Sequence, residues 1–231
     1  MFYSPVYGFQ GGFILLIPAI LFAMYAQAKI RSTFSKYLNV RNVGGYTGAQ
    51  VARMILDRNG LKDISIEHIG GYLSDHYDPR QRVLRLSPQV YNGTSVASIS
   101  VAAHEAGHAM QHGEGYVPLN LRNMIAPIAS FGSRMVWFLV FAGFILDMTA
   151  LIDVGILFYL AAVIFQVITL PVEFNASHRA MEQLEMNGVI ASQEMKPAKK
   201  VLDAAALTYV AAMAVSIAQL FRLILLRNSR D

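Results

Sequence analysis

The chain has 231 residues, of which 55% are hydrophobic and only 15% are charged, whereas soluble proteins average about 25% charged residues. It contains no cysteine, which excludes disulfides, thiolate zinc ligands and thiol catalysis. The net charge of +4 is modest. Because the basic residues flank apolar segments, we interpret this charge as membrane-flanking and expect no nucleic-acid partner.

Four apolar segments are long enough to cross a bilayer, whose hydrocarbon core takes roughly 20 helical residues. The alternative interpretation of the first segment is a cleaved signal peptide, but the segment lacks the positive residues that precede the apolar part of such a signal. The fourth segment is the weakest, because polar residues and Arg222 interrupt it. The predicted spans are residues 11–27, 124–146, 154–172 and 204–226.

Basic residues indicate which ends of the spans face the cytoplasm, since Lys and Arg are enriched in cytoplasmic loops. Four basic residues lie between residues 29 and 41, and four more lie in segment 174–203. The short loop 147–153 has two Asp and no basic residue, which suits the outside. The arginines near the end of the fourth segment disagree with this topology if that segment crosses. Its alternative is an amphipathic helix that lies in the membrane interface.

Between the first two spans, residues 29–120 have an ordinary soluble composition. Thr47 suits an N-cap, Asn59 and Gly60 suit a helix end, and Thr94 or Ser95 suits a second N-cap. Alternating apolar residues indicate short strands, and Gly- and Asp-rich stretches indicate turns. The predicted order is a helix at residues 48–58, a strand at 64–69, a turn at 75–79, a strand at 82–86 and a helix at about 96–111.

The last of these helices carries the sequence H-E-A-G-H at residues 104–108. Residues four apart share one helical face, so the two imidazoles of His104 and His108 can bind a single ion. Glu105 between them can act as the general base on the attacking water. This pattern is typical of catalytic zinc sites. The strand at 82–86 is the candidate edge for holding a substrate backbone by strand addition; its alternative role is only to complete the sheet.

A catalytic zinc ion takes three protein ligands, and three residues are candidates for the third. His112 continues the spacing, but three histidines on one straight helix span about 12 Å and cannot converge. Glu114 follows His108 by six residues, with Gln111 where a related motif needs glycine. Glu173 is favoured, because a carboxylate at the end of an apolar span is costly without a partner. Two spans separate it from the zinc-motif helix, so both face the same side; a snorkelling interface charge is its alternative.

Residues near Glu173 are candidates for supporting roles. Ser177 lies one turn later and is expected to hydrogen-bond a ligand histidine. Asn175 is expected to point elsewhere. His178 is interpreted as a surface residue, with stabilisation of an oxyanion as its alternative. His76 is interpreted as part of a turn, and the alternative for that turn is that His76 or Tyr77 polarises a substrate carbonyl.

Four motifs taken together resemble the YugP-type neutral zinc metallopeptidases, which are bacterial membrane proteins similar in plan to the HtpX-type membrane proteases. The resemblance covers roughly residues 29–200. It implies a gluzincin-like enzyme in which His104, His108 and Glu173 bind one Zn²⁺ per chain and Glu105 is the base. The motifs are T-G-A-x-V-A at 47–52, D-H-Y-D-P at 75–79, V-A-A-H-E-A-G-H-A at 101–109 and L-P-V-E-F at 170–174.

The expected fold is mainly α and integral to the membrane, with four transmembrane helices and a small α+β zincin-like cytoplasmic domain. Residues 1–28 form the first transmembrane helix, and residues 29–121 form the catalytic domain. Residues 122–231 hold the other three transmembrane helices, the cytoplasmic segment 174–203 and the third zinc ligand.

The expected function is that of a multi-pass zinc endopeptidase of the bacterial cell membrane, with its active site on the cytoplasmic side and water activated by zinc and Glu105. Because His108 lies close in sequence to the second span, the expected substrates are membrane-associated proteins or peptides. A zinc-binding membrane scaffold or adaptor without proteolytic turnover is the main alternative. A protease that cuts within the bilayer is less favoured, since Gly-rich polar residues follow the motif helix. The sequence indicates no oligomeric state or adaptor.

Overall fold

The computed structural model describes residues 5–228 of the chain, and the side chains of residues 13–228. Long helices dominate these residues, and three short strands form a single sheet. The elements are α1 (Pro5–Leu38), α2 (Gly48–Arg58), β1 (Ser65–His68), β2 (His76–Asp78), β3 (Val83–Leu86), α3 (Pro88–Tyr91), α4 (Val96–Gly113), α5 (Val117–Ile145), α6 (Thr149–Met186) and α7 (Ser192–Asn228).

Four of the described helices, α1, α5, α6 and α7, are long and apolar enough to cross a membrane. The prediction of a mainly helical chain with four such helices and a small sheet is therefore confirmed. Helix α6 continues past its apolar part to Met186, so Glu173 lies on the same helix as the third apolar segment. Helix α7 is continuous over 37 residues, although polar side chains interrupt its apolar sequence.

The described chain divides into two compact units. The membrane unit contains a cluster of buried apolar side chains from α5, α6 and α7: Val136, Val140, Ile152, Leu223 and Leu226. The sheet unit contains the sheet, α2, α3, α4 and the flanking parts of the long helices. The membrane unit takes its described residues from Met1–Gln27, Asn120–Leu170 and Thr208–Asp231, and the sheet unit consists of Ala28–Leu119 and Pro171–Leu207.

Helix α2 begins and ends where the sequence predicts. The Thr47 side chain accepts a hydrogen bond from the Gln50 backbone N–H, and the Gln50 side chain accepts one from the Thr47 backbone N–H. This reciprocal pair satisfies N–H groups that the first helical turn leaves without partners. At the other end, Gly60 has a φ of +73°, a conformation that glycine adopts readily. The apolar face of α2 packs against α4 and is fully buried.

The sheet has the strand order β1-β3-β2, with β1 parallel and β2 antiparallel to β3. The prediction of β3 as a substrate-binding edge is therefore wrong, because both of its edges are already paired. The prediction of a turn at residues 75–79 is also wrong for its three central residues, because His76–Asp78 form the terminal strand β2. Three residues are too few to show an alternating pattern, and this strand depends on pairing with β3.

Helix α4 lies in the core of the sheet unit, and most of its residues are buried. Ser95 is its N-cap, since the hydroxyl accepts a hydrogen bond of 3.0 Å from the Ser98 backbone N–H. The helix runs to Gly113, slightly beyond the predicted end. Because α4 contacts α2, α3 and the sheet, the zinc-motif residues are fixed by packing from several sides.

Candidate metal centre

The structure brings His104 and His108 of α4 together with Glu173 of α6. One oxygen of Glu173, Oε2, lies 3.3 Å from His104 Nε2 and 3.4 Å from His108 Nε2. The three potential ligand atoms all lie within 4.8 Å of one another. His104 and Glu173 are buried, and the His108 side chain is only 12% exposed. Local helix geometry pairs the histidines, and packing of α4 on α6 adds the carboxylate.

These residues fit a zinc ion by spacing and by chemistry. Zinc binds imidazole nitrogen and carboxylate oxygen at 2.0–2.2 Å in a tetrahedral arrangement, which puts neighbouring ligand atoms about 3.3 Å apart. The observed nitrogen–oxygen distances of 3.3 and 3.4 Å match this separation. Two imidazoles and one carboxylate form a donor set of catalytic zinc sites that leave the fourth position to water or substrate.

Both histidines are oriented by hydrogen bonds at the opposite ring nitrogen. Nδ1 of His104 lies 3.2 Å from the Ser177 hydroxyl, as predicted, and Nδ1 of His108 lies 3.0 Å from Gln111 Oε1. An Nδ1–H that donates to oxygen fixes the tautomer in which Nε2 is free to bind metal. The two Nε2 atoms therefore both face Glu173.

Gln111 joins the two helices that carry the cluster. Its side chain is fully buried, and Nε2 donates to the Val172 carbonyl at 2.8 Å and to Asn175 Oδ1 at 2.9 Å. As expected, Asn175 does not contact the ligand histidines directly; its side-chain oxygen instead accepts from Gln111, which in turn contacts His108. Through Gln111, the orientation of His108 is tied to the residue that directly precedes Glu173.

The same network places Glu114 away from the metal cluster. Asn175 Oδ1 also accepts a bond of 2.8 Å from Arg179 Nε, and the guanidinium binds both carboxylate oxygens of Glu114 at 2.7 and 2.8 Å. Arg179 thereby holds the pKa of the Glu114 carboxyl below its usual value. A carboxylate held in this way faces Arg179, so Glu114 is not brought to the two histidines.

Glu105 is buried beside the cluster without belonging to it. Its Oε2 accepts a hydrogen bond of 3.0 Å from the backbone N–H of Tyr77 in β2. Burial raises the pKa of the Glu105 carboxyl to about 7; His104 opposes this shift and Glu173 adds to it. A carboxyl group with a pKa near neutrality can both accept and return a proton, as a general base requires.

The remaining candidate histidines lie outside the cluster. His112 Nδ1 is 2.8 Å from the Tyr77 hydroxyl, consistent with the argument that three histidines on one helix cannot converge. His76 Nδ1 lies 2.8 Å from the Ser74 carbonyl, and the exposed His178 lies 3.1 Å from Glu182. The structure therefore brings neither His76 nor His178 to the three potential ligands.

Gly107, inside the zinc motif, allows the close approach of α4 to α6. A Cβ atom at this position would lie 2.7 Å from the carbonyl oxygen of Ala176. That distance is too short for a carbon–oxygen contact, and a backbone atom cannot move aside without moving its helix. Any larger residue would therefore push α6, and with it Glu173, away from the histidines.

Sequence reasoning missed Gln111 and Arg179 as supporting residues, and it did not foresee the hydrogen bond from the Tyr77 backbone N–H to Glu105. Gln111 carries a weak signal, since it follows His108 by three residues and shares its helical face. Arg179 follows Asn175 by four residues, which also indicates one face. However, these spacings along one helix do not predict which residue of the other helix the Gln111 or Arg179 side chain contacts.

Comparison with known proteins identifies the family. A family model described as "putative neutral zinc metallopeptidase" matches residues 12–228. The chain belongs to this zinc metallopeptidase family. It is also 49% identical over 218 residues to the "putative membrane protease YugP" of Bacillus subtilis (strain 168), covering 94% of this chain and 97% of that relative. No solved structure matches the chain.

Family membership confirms the resemblance found from the motifs. It also agrees with the four long apolar helices, and the chain is accordingly a membrane protein of a zinc peptidase family. The family implies zinc as the metal, and the cluster of His104, His108 and Glu173 is the candidate site for it.

Proposed function

We propose that this family member is a membrane-anchored zinc endopeptidase of the gluzincin type that hydrolyses peptide bonds at the cytoplasmic membrane surface. The observation that carries the proposal is the cluster of His104, His108 and Glu173, whose potential ligand atoms lie within 4.8 Å of one another, with the buried carboxyl group of Glu105 beside it. A structural metal site needs no such base, because it has no proton to transfer.

Each residue around the cluster has a defined part in this chemistry. When bound by His104, His108 and Glu173, zinc polarises the scissile carbonyl and acidifies the attacking water. Glu105 accepts the proton of that water and returns it to the nitrogen of the leaving amine. The Tyr77 N–H holds the Glu105 carboxylate in place for both transfers. A pKa near 7 suits both directions of transfer at neutral pH.

Strand β2, the neighbour of Glu105, is the proposed guide for the substrate backbone. Among the described strands it is paired with β3 alone. Its Tyr77 N–H is taken by Glu105, so an extended peptide would add along the rest of its outer edge. Because Tyr77 N–H contacts Glu105, a peptide on that edge has its backbone next to the base. Substrates are then extended segments of proteins, and the basic residues at 29–41 and 174–203 support a cytoplasmic site for their cleavage.

The test is degradation of unfolded casein by the detergent-purified, zinc-loaded protein. Wild type is compared with Glu105→Gln, which keeps a hydrogen-bond acceptor for Tyr77 but cannot take a proton. Glu182→Gln is the matched control, since this glutamate is exposed and forms its ion pair with the exposed His178. We expect cleavage by wild type and by the control, and none by Glu105→Gln.

Two outcomes would contradict the proposal. Equal cleavage by wild type and Glu105→Gln would exclude Glu105 as the base. Zinc bound at one ion per chain, with no cleavage of casein, of the protein itself or of partners trapped by Glu105→Gln, would favour the scaffold alternative.

A further inference from the structure

Arg222 is a cation inside the apolar part of α7, near the helix end at Asn228. Its guanidinium carbon lies 3.8 Å from the ring centre of Phe13 and 5.9 Å from that of Trp137. Aromatic faces attract a cation but supply only part of what it loses on leaving water. An arginine in an apolar span is costly unless a further partner offsets that loss.

The described side chains supply Arg222 with little of that compensation. Its one hydrogen bond to a side chain in residues 13–228, to Gln219 Oε1, is long at 3.4 Å. The Nε atom is buried without a hydrogen-bond partner in the same part of the chain. Arg227, in the next turns of the helix, instead binds the Asp153 carboxylate at 3.0 Å. A guanidinium has five N–H donors, so Arg222 has capacity for an anion from outside the protein.

An apolar groove of about 270 Å³ opens beside this guanidinium. Apart from Arg222, every side chain that lines it is hydrophobic, so it suits a hydrocarbon chain and disfavours water. A ligand that fits both features must join an anionic group to an alkyl chain. The groove is lined by Trp137, Val140, Phe141, Phe144, Arg222, Leu223 and Leu226.

We propose that the membrane unit binds one anionic phospholipid, with its phosphate on Arg222 and an acyl chain in this groove. A guanidinium binds phosphate oxygens through paired N–H donors, and the surrounding rings keep water from competing. A zwitterionic lipid fits less well, since its own ammonium group competes for the phosphate. The bound phosphate also accounts for an arginine at the end of α7 that conflicts with the positive-inside rule.

Trp137 allows a direct test, because it is the single tryptophan of the chain and lines the groove. The full-length protein is placed in nanodiscs of one fixed mixture of phosphatidylcholine with phosphatidylglycerol as the minor component. Bromine, which quenches tryptophan fluorescence on contact, is carried by the acyl chains of one lipid or of the other. We expect brominated phosphatidylglycerol to quench about two- to fivefold more per molecule, the preference that one arginine near the surface confers.

Three variants assign that preference to Arg222. In Arg222→Gln, the two brominated lipids should quench Trp137 fluorescence equally. Arg222→Lys should keep part of the preference for phosphatidylglycerol, because it keeps the cation. Arg227→Gln is the matched control on the same helix and should behave as wild type. Circular dichroism of each variant in the nanodisc verifies that the helices are intact.

The proposal is overturned if wild type shows equal quenching with both lipids, or if Arg222→Gln keeps the full preference. Raising the salt concentration distinguishes a headgroup bound at Arg222 from general electrostatic attraction to the protein surface, because salt screens the latter. If the preference for phosphatidylglycerol persists at high salt, the headgroup is bound at a specific site. Complete loss of the preference at high salt overturns the proposal. None of these outcomes depends on proteolytic activity, so the lipid site and the proposed function fail independently.

Discussion

At the scale of single residues, Glu173 decides whether two histidines become a three-ligand site. Its carboxylate oxygen is equidistant, within 0.1 Å, from both imidazole nitrogens, at 3.3 and 3.4 Å. We expect Glu173→Gln to weaken zinc binding by more than about a hundredfold, beyond the 10–100-fold typical of losing an outer hydrogen-bond partner. Competition with a chelator of known zinc affinity measures this. Glu182→Gln on the same helix is the control and should bind zinc as wild type does.

An unchanged zinc affinity in Glu173→Gln would exclude this residue as a ligand. Glu114→Gln would then be the next variant, because it tests the alternative third ligand. In the structure Glu114 is held by Arg179, so we expect its replacement to leave zinc affinity unchanged.

Gln111 makes a second prediction at this scale. Gln111→Leu has a similar volume but removes the acceptor for His108 Nδ1 and the donor to the Val172 carbonyl. We expect zinc affinity to fall by about 10–100-fold, the range for partners of ligand histidines. Isothermal titration with zinc measures this, with Gln193→Leu on the exposed start of α7 as control. Equal affinities in the two variants would mean that Gln111 does not orient His108.

At the scale of elements, the close contact of α4 with α6 sets the site. Gly107→Ala would place a methyl group against the Ala176 carbonyl, so we expect α6 to shift and zinc affinity and casein cleavage to fall together. Gly113→Ala is the control on the same helix, because its methyl group would meet only the flexible Leu61 side chain. Zinc titration and cleavage of both variants are compared, and a Gly107→Ala protein as active as the control would refute this role of the contact.

The elements also show where sequence patterns stop being informative. Helix α2 is bounded as predicted, since Thr47 and Gln50 cap it through local contacts. The short β2 was missed and β3 was assigned to the wrong position in the sheet. Strand order depends on which segments meet across the chain, and no local pattern in residues 64–86 encodes that.

At the scale of the whole molecule, the number of membrane crossings determines on which side each end of a helix lies. The chain lacks cysteine, so single cysteines can be labelled with a membrane-impermeant maleimide in intact cells. We expect Met148→Cys and Asn228→Cys to be labelled and Glu182→Cys to be labelled only after lysis. All three positions are exposed in the structure.

Labelling of Glu182→Cys in intact cells would contradict the expected cytoplasmic location of the sheet unit. Protection of Asn228→Cys until lysis would mean that α7 does not cross the membrane, despite its continuous helix of 37 residues. In that case Arg222 would lie on the cytoplasmic side.

The sequence by itself determined the features that depend on neighbours along the chain. Spans follow from local composition, the pairing of His104 with His108 follows from the helical repeat, and Glu173 followed from its place at the end of a span. Only the tertiary structure decided how Gln111 reaches α6, how Tyr77 in β2 holds Glu105, and where Arg222 meets an apolar groove. The physical reason is that helix geometry fixes contacts three or four residues apart, whereas contacts between elements depend on how their surfaces pack.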